Sequence, residues 1–155
     1  MLRLHLVRHA HAVDLADDAA RPLSARGREQ VRQLGKFLRR TEAFQPEQIW
    51  HSPLVRARET ATLLARSLRL DAPLVLTPGL APEDDPRPVA RRLRAAAGCI
   101  AIVGHEPHLS ALASLLLRGR AAPPAVVMRK CAALTLEGAG RHWLVRWHVS
   151  PELFA

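Results

Sequence analysis

The chain has 155 residues, of which 48% are apolar, a size and composition typical of one globular domain. Its 23 Lys and Arg residues outnumber 14 Asp and Glu, and the formal net charge of +9 favours an anionic partner. No apolar run approaches the roughly 20 residues of a membrane helix, and Arg3, His5 and Arg8 interrupt the segment where a signal peptide would be apolar, so we expect a cytoplasmic protein with no membrane partner.

The first half of the chain predicts two strands that alternate with two helices. Residues 2–7 alternate in the manner of a half-buried strand, which ends near Arg8. The segment RPLSARGREQVRQLGKFLRR then predicts a helix with Ser24 as its N-cap. QIWHS predicts a short strand, and SPLVRARETATLLARSL predicts a helix capped by Ser52 with Pro53 at its first position.

The second half continues the alternation and ends in two strands. PLVLTP predicts a strand, APEDDPRP an acidic loop, and PVARRLRAAAG a basic helix that ends at Gly98. CIAIV has the continuous apolar pattern of a strand covered on both faces, Gly104 forms a turn, and a helix follows as far as about Leu116. CAALTLE and HWLVRWHV predict two strands joined by GAG, with Trp143 and Trp147 on one face of the last strand.

Alternating strands and helices predict an α/β fold with a mostly parallel central sheet, flanked by helices on both faces. The last two strands are expected to pair as a hairpin near one edge, within one domain over residues 1–155. The segment between Arg56 and His105 is too short for a lid domain, so we expect an open site. Ligands of such sheets bind beyond the carboxyl ends of the strands.

Arg8, His9 and His105 follow the ends of two predicted strands, and Arg56 lies in the first turn of a helix. Helix N-termini and arginines favour anions, and a histidine nitrogen can attack phosphorus, so these residues predict a phosphate site. HAH and HEPH lack standard metal-ligand spacing, and Cys99 and Cys131 suggest neither a disulfide nor a zinc site. For the remaining histidines we expect ordinary core or surface positions.

The motifs LVRHAHA, RPLSARG, HSPLVRARET and IVGHEPHLS, in this order, resemble the histidine phosphatase superfamily, which has the phosphoglycerate-mutase-like fold. Within it, the resemblance is to the small SixA-like phosphohistidine phosphatases. It implies that His9 is the transiently phosphorylated nucleophile, that Arg8, Arg56 and a protonated His105 complete the phosphate pocket, and that no metal or organic cofactor is needed. It also implies that Arg21 contributes to substrate binding.

Two residues depart from the family pattern. Ala10 stands where the family commonly has glycine. The methyl group of alanine would restrict the backbone if the turn needed a positive φ. His11 replaces an acidic or polar residue, and we assign it no role beyond the rim of the site.

The general acid and the substrate are less well determined by the sequence. Glu83 is the first choice of acid in APEDDP, although Glu83, Asp84 and Asp85 could equally cap the next helix or be solvated. Such an acid matters less for phosphohistidine, whose leaving imidazole already carries a proton at neutral pH.

We therefore expect a monomeric phosphatase that acts on phosphohistidine in proteins. The alternatives are a small-molecule phosphomonoesterase on the same fold, or a non-catalytic module that binds phosphorylated partners or nucleic acid. We expect no nucleic-acid partner, because a module that only binds nucleic acid would not need a nucleophilic histidine such as His9.

Overall fold

In a computed structural model that describes residues 1–153, six strands form one sheet between two pairs of α-helices. The strands are β1 (Leu2–Arg8), β2 (Gln48–His51), β3 (Leu74–Leu76), β4 (Gly98–Gly104), β5 (Ala133–Ala139) and β6 (His142–Val149). The α-helices are α1 (Ala25–Thr41), α2 (Val55–Ser67), α3 (Arg87–Arg94) and α4 (His108–Arg118). Short 3-10 helices span Asp18–Ala20 and Pro151–Leu153. Residues 154 and 155, the end of the expected domain, lie outside the described part.

The sheet has the order β3-β2-β4-β1-β5-β6. The pairs β3–β2, β2–β4 and β4–β1 are parallel, whereas β1–β5 and β5–β6 are antiparallel. This arrangement confirms the mostly parallel sheet and the terminal hairpin at one edge.

Two apolar clusters fill the two faces of the sheet. Leu2, Leu4 and Leu6 of β1 pack on the face covered by α3 and α4, and Val7 packs with the buried side chains of α1 and α2 on the other face. Helices therefore cover both faces, as the sequence predicts. None of the helices in residues 1–153 is long and apolar enough to span a membrane.

The helix boundaries differ from the sequence predictions at two places. Ser24 caps α1 as predicted, because its hydroxyl accepts a hydrogen bond from the Gly27 N–H. However, α2 begins at Val55 rather than at Pro53, so Ser52 is not its N-cap. Gly98 does not end α3, which stops at Arg94; it begins β4 with a φ of 90°.

A bulge in the last hairpin overturns the expectation that Trp143 and Trp147 share one face. The pairing shifts between Thr135, opposite Trp147, and Leu136, opposite Val145. One extra residue in β6 reverses the side of every side chain beyond it. Trp143 therefore packs against the cluster on the α3–α4 face and Trp147 against the cluster on the other.

Candidate active site

A cavity of about 770 Å³ lies at the carboxyl ends of β1, β2 and β4. All six side chains named from the sequence line it: Arg8, His9, Arg21, Arg56, Glu83 and His105. Neighbouring parallel strands bring the two histidines together, since Arg8 pairs with Gly104 in the register of β1 and β4. The ring centroids of His9 and His105 are 5.0 Å apart.

The backbone at the end of β1 fixes the position and the tautomer of His9. The His9 N–H donates to the Gly104 carbonyl oxygen at 2.9 Å, and His9 Nδ1 lies 2.7 Å from the Ala10 carbonyl oxygen. A carbonyl oxygen only accepts, so Nδ1 carries the ring proton. The lone pair of the neutral ring is therefore on Nε2, the nitrogen left for a ligand in the cavity.

Burial and positive charge keep the His9 ring neutral. Only 6% of His9 is exposed, and burial is the main reason that its pKa falls to about 4, with Arg56 and Arg8 acting in the same direction against the Ala10 hydrogen bond. His9 is thus an unprotonated base near pH 7, as nucleophilic attack requires.

Ser52 positions the second histidine. Its hydroxyl lies 2.5 Å from His105 Nε2 and also accepts a hydrogen bond from the Leu54 N–H at 3.3 Å. When the hydroxyl donates to Nε2, the neutral ring carries its proton on Nδ1, which is buried and has no partner among the described residues. The expectation of a protonated His105 does not hold for the free protein, because burial and the neighbouring His9 lower its pKa to about 3.

Two arginines bring positive charge to the cavity from different elements. Arg8 is half-buried and donates through Nη1 to the Met128 carbonyl oxygen at 2.9 Å. Arg56, in the first turn of α2, is 5% exposed, and its guanidinium donates to the Asp18 carbonyl oxygen at 2.9 Å and the Asp18 carboxylate at 3.2 Å. An incoming phosphate therefore competes with Asp18 for Arg56.

Arg21 also lines the cavity, but its guanidinium is engaged in the loop that carries Asp18. It donates to the Val13 carbonyl oxygen at 3.0 Å and to the carboxylates of Asp18 at 3.2 Å and Asp14 at 3.4 Å. These contacts tie Arg21 to the loop that carries Asp18, in the lining of the cavity.

The three acidic candidates have different surroundings. Asp84 accepts a hydrogen bond from the Ala81 N–H at 2.9 Å, and Asp85 pairs with Arg87 at the start of α3. Glu83 is exposed and lines the cavity, as does Asp84. Of the three, Glu83 is the carboxylate that lines the cavity without capping the loop.

Four functional contacts were not predicted from the sequence. Asp18 holds Arg56, Ser52 holds His105, and Thr60 accepts a hydrogen bond from the Ala10 N–H at 3.1 Å. Glu106 lines the cavity while its carboxylate accepts from the Ser110 N–H and hydroxyl. Of these residues, Ser52 alone has a sequence signal, since Ser52 before Pro53 predicts a helix N-cap.

Ala10 does not require the freedom of glycine. It is buried, and its φ is not positive. Within residues 1–153 no group of three or more His, Cys, Asp or Glu side chains is arranged to hold a metal ion.

Comparison with known proteins decides the family. The profile of the histidine phosphatase superfamily (branch 1) matches residues 4–82, about half of the chain. The chain belongs to the histidine phosphatase superfamily. This membership supports a phosphatase activity.

Relatives of this phosphatase chain align over nearly its whole length. It is 26% identical to phosphohistidine phosphatase SixA of Escherichia coli (strain K12), over 97% of this chain and 94% of that protein. It is 31% identical to an uncharacterized protein of Picosynechococcus sp., over 99% of this chain and 94% of that protein.

Solved structures of this superfamily share the fold. The structure of the protein histidine phosphatase SixA complexed with tungstate has a TM-score of 0.89 at 23% identity and 99% coverage of both chains. The alpha-ribazole phosphatase from Shigella flexneri has a TM-score of 0.72 at 20% identity, with 96% of both chains covered. The same architecture thus occurs in phosphatases named for very different substrates.

Proposed function

We propose that the protein is a phosphohistidine phosphatase, which takes a phosphoryl group from a histidine side chain of another protein onto His9 and then passes it to water. The observation that carries this proposal is the hydrogen bond from His9 Nδ1 to the Ala10 carbonyl oxygen, 2.7 Å long, which leaves a lone pair on Nε2 inside a cavity with two arginines.

In the first step, His9 Nε2 attacks phosphorus. A bond forms between Nε2 and phosphorus as the bond between phosphorus and the substrate imidazole breaks. When the substrate ring is protonated on its other nitrogen, it leaves as neutral imidazole, so no proton has to move. This balance explains how the reaction proceeds without a strong general acid.

Arg8, Arg56 and His105 stabilise the phosphoryl group during transfer. Negative charge spreads over three equatorial oxygens, and the donors placed around the cavity offset this charge. Arg56 exchanges its contact with the Asp18 carboxylate for a phosphate oxygen, and the ring of His105, 5.0 Å from that of His9, contributes a further N–H donor.

In the second step, water attacks the phosphoryl group on His9. The bond between phosphorus and Nε2 breaks, the electron pair returns to Nε2, and both protons of the water leave with inorganic phosphate. Nδ1 keeps its proton throughout, so the ring returns to its starting tautomer.

Two features support a protein as the substrate. No lid covers the cavity in the described part of the chain, where a turn and a short loop connect β3 to α3. A phosphorylated side chain on a protein surface can enter such an opening, whereas small substrates benefit from enclosure. The alignment with phosphohistidine phosphatase SixA over 97% of the chain also supports this substrate.

Single-turnover labelling tests the proposal. The wild-type protein, His9→Ala and the control variant His142→Ala, which changes an exposed histidine of β6, are mixed with a radiolabelled phosphohistidine peptide. We expect an acid-labile, alkali-stable label on the wild-type and His142→Ala proteins that decays as phosphate is released, and none on His9→Ala. Turnover by His9→Ala at the wild-type rate would overturn the proposal.

A further inference from the structure

A second depression, the cationic groove, adjoins the catalytic cavity and has a volume of about 420 Å³. Its basic side chains are Arg8, His11, Arg26, Arg129 and Lys130, contributed by the end of β1 and the loop after it, the first turn of α1 and the segment before β5. Arg8 and Lys130 line both depressions. The two spaces therefore form one continuous surface, with His9 at one end.

The positive charge of the groove is only partly compensated. Of its two carboxylates, Glu152 pairs with Arg129 of the groove itself, and Glu29 pairs with Arg32, which does not line the groove. Arg26 is exposed, and no ion pair holds Arg26 or Lys130 among the described residues. Burial first, then Arg8, Arg21 and Arg26, lower the pKa of Lys130 against the opposing effect of Asp14. Like charges thus face one another across the groove, and an anion there would relieve their repulsion.

The other side of the catalytic opening has the opposite charge. Glu83 and Asp84, in the loop that follows β3, line the cavity together with Glu106 after β4. In the sheet order, β3 and β4 lie on one side of β1, whereas Arg129 and Lys130 lead into β5 on the other. A substrate that spans the opening therefore meets a negative surface at one end and a positive surface at the other.

From this asymmetry we infer that the cationic groove binds an acidic segment of the substrate protein, beside its phosphorylated histidine. The inference rests on the proposed function. It specifies the charge of the substrate segment and the direction in which that segment crosses the opening. A chain held by its phosphoryl group at His9 continues past Arg8 and Lys130 into the groove, where several carboxylates fit a row of cations. The acidic loop at Glu83 and Asp84 repels the same segment and disfavours the reversed orientation.

Matched peptides and variants test the inference. Two phosphohistidine peptides differ only in three flanking residues, which are Glu in one and Gln in the other. Arg26→Gln combined with Arg129→Gln removes two groove charges that do not line the catalytic cavity. The control, Arg91→Gln combined with Arg118→Gln, removes two exposed charges from a depression that shares no residue with either space.

At low salt, we expect the wild-type and control proteins to have a kcat/KM about 3- to 30-fold higher for the Glu peptide, the range that a few exposed charge pairs provide. The groove variant should lose this preference and hydrolyse free phosphoramidate at the wild-type rate. Added salt should reduce the preference in the wild-type protein.

Three results would overturn the inference. The wild-type protein could show no preference for the Glu peptide, or the groove variant could keep the same preference as the wild-type protein. The groove variant could also lose phosphoramidate hydrolysis as strongly as peptide hydrolysis, which would place the groove within the phosphate site. Fluorescence anisotropy of both peptides with His9→Ala, alone and combined with the groove substitutions, measures the same preference without turnover. If the proposed function is wrong, the labelling experiment shows it. The binding comparison can still be made, because it does not depend on turnover.

Discussion

The hydrogen bond between His9 Nδ1 and the Ala10 carbonyl oxygen decides which ring nitrogen can act before any substrate arrives. The acceptor belongs to the backbone of the next residue, so the side chain at position 10 has no direct part in it. Alanine can therefore occupy this position, which has no positive φ. At the scale of single residues, the orientation of the His9 ring depends more on backbone geometry than on the departure from the family's glycine.

A substitution of Glu83 separates the two phosphatase hypotheses. An alkoxide leaving group needs a proton, whereas a protonated phosphohistidine does not. We expect Glu83→Gln to lower kcat/KM for an alkyl phosphate by about 10-fold or more and to change that for a phosphohistidine peptide by less than about 3-fold, within the range of lost surface charges. Parallel steady-state assays of the two substrates measure this difference.

The control for Glu83→Gln is Asp17→Asn, which removes a charge from the same cavity lining. It should affect both substrates equally and weakly. An equal loss on both substrates with Glu83→Gln would show that Glu83 binds substrate and does not donate a proton.

The sequence locates the residues at strand ends but not their hydrogen-bond partners. Arg8, His9 and His105 are recognisable because parallel strands bring their carboxyl ends to one edge. Asp18 reaches Arg56 across 38 positions of the chain, and Ser52 reaches His105 across 53. Such pairs depend on the packing of loops, which follows no periodic pattern, so this part of the site was not predictable.

At the scale of elements, the first turn of α1 fixes the loop that follows His9. The His11 N–H donates to Gln30 Oε1 at 2.8 Å, and the His11 carbonyl oxygen accepts from the Ser24 N–H at 3.0 Å. Gly27 allows this close approach, because a Cβ at this position would lie only 2.0 Å from the His11 carbonyl oxygen. The helix and the catalytic loop are therefore in direct backbone contact.

We expect Gly27→Ala to lower both stability and activity. The added methyl group forces α1 away from the loop, at a cost of about 1–3 kcal/mol of unfolding free energy, and the displaced His9 should lower kcat by about 10-fold or more. Urea denaturation and single-turnover rates measure the two effects.

Gly119→Ala is the control for Gly27→Ala. Its φ is 78°, and a Cβ there would meet nothing within 4 Å, so it should cost about 1 kcal/mol of backbone strain and leave the rate unchanged. Wild-type turnover by a folded Gly27→Ala protein would contradict a positioning role for the close contact.

Periodicity predicted the order and type of the six strands and four α-helices, but not the local exceptions. The bulge opposite Thr135 and Leu136 inserts one residue into β6, and no residue in HWLVRWHV distinguishes it from a regular strand. Likewise, Ser52 before Pro53 has the pattern of a helix start, but its hydroxyl bonds to His105 instead. In both cases tertiary contacts overrode a local preference.

At the scale of the whole molecule, histidines buried in both the site and the core make folding sensitive to acid. His5 is fully buried in β1, with Nδ1 2.6 Å from Thr135 Oγ1 and its ring 4.5 Å from that of Phe44. Burial, assisted by Arg3, lowers its pKa to about 4. Below about pH 6.5 the unfolded chain therefore binds a proton that the folded protein does not, and stability falls as the pH decreases towards 4.

His5→Gln tests the contribution of this group. Between pH 7 and 4.5 the wild-type protein should lose about 2 kcal/mol more unfolding free energy than the variant, because each pH unit in this window is worth about 1.4 kcal/mol. Urea denaturation at the two pH values measures the losses. Phe44→Leu weakens the same packing but keeps His5. Its unfolding free energy should therefore decrease on acidification by as much as that of the wild-type protein. Equal losses in the wild-type and His5→Gln proteins would contradict this account.

His9 and His105 follow β1 and β4, two adjacent strands with a neighbour on each side, whereas the cationic groove and the acidic loop lie on exposed connections and a helix end. Substitutions that alter which protein is bound can therefore accumulate on the surface while the two strands that lead to these histidines stay as they are. The same division offers a route to redesign. Substitutions that change the charges of the cationic groove and the acidic loop could select a new partner without altering the core.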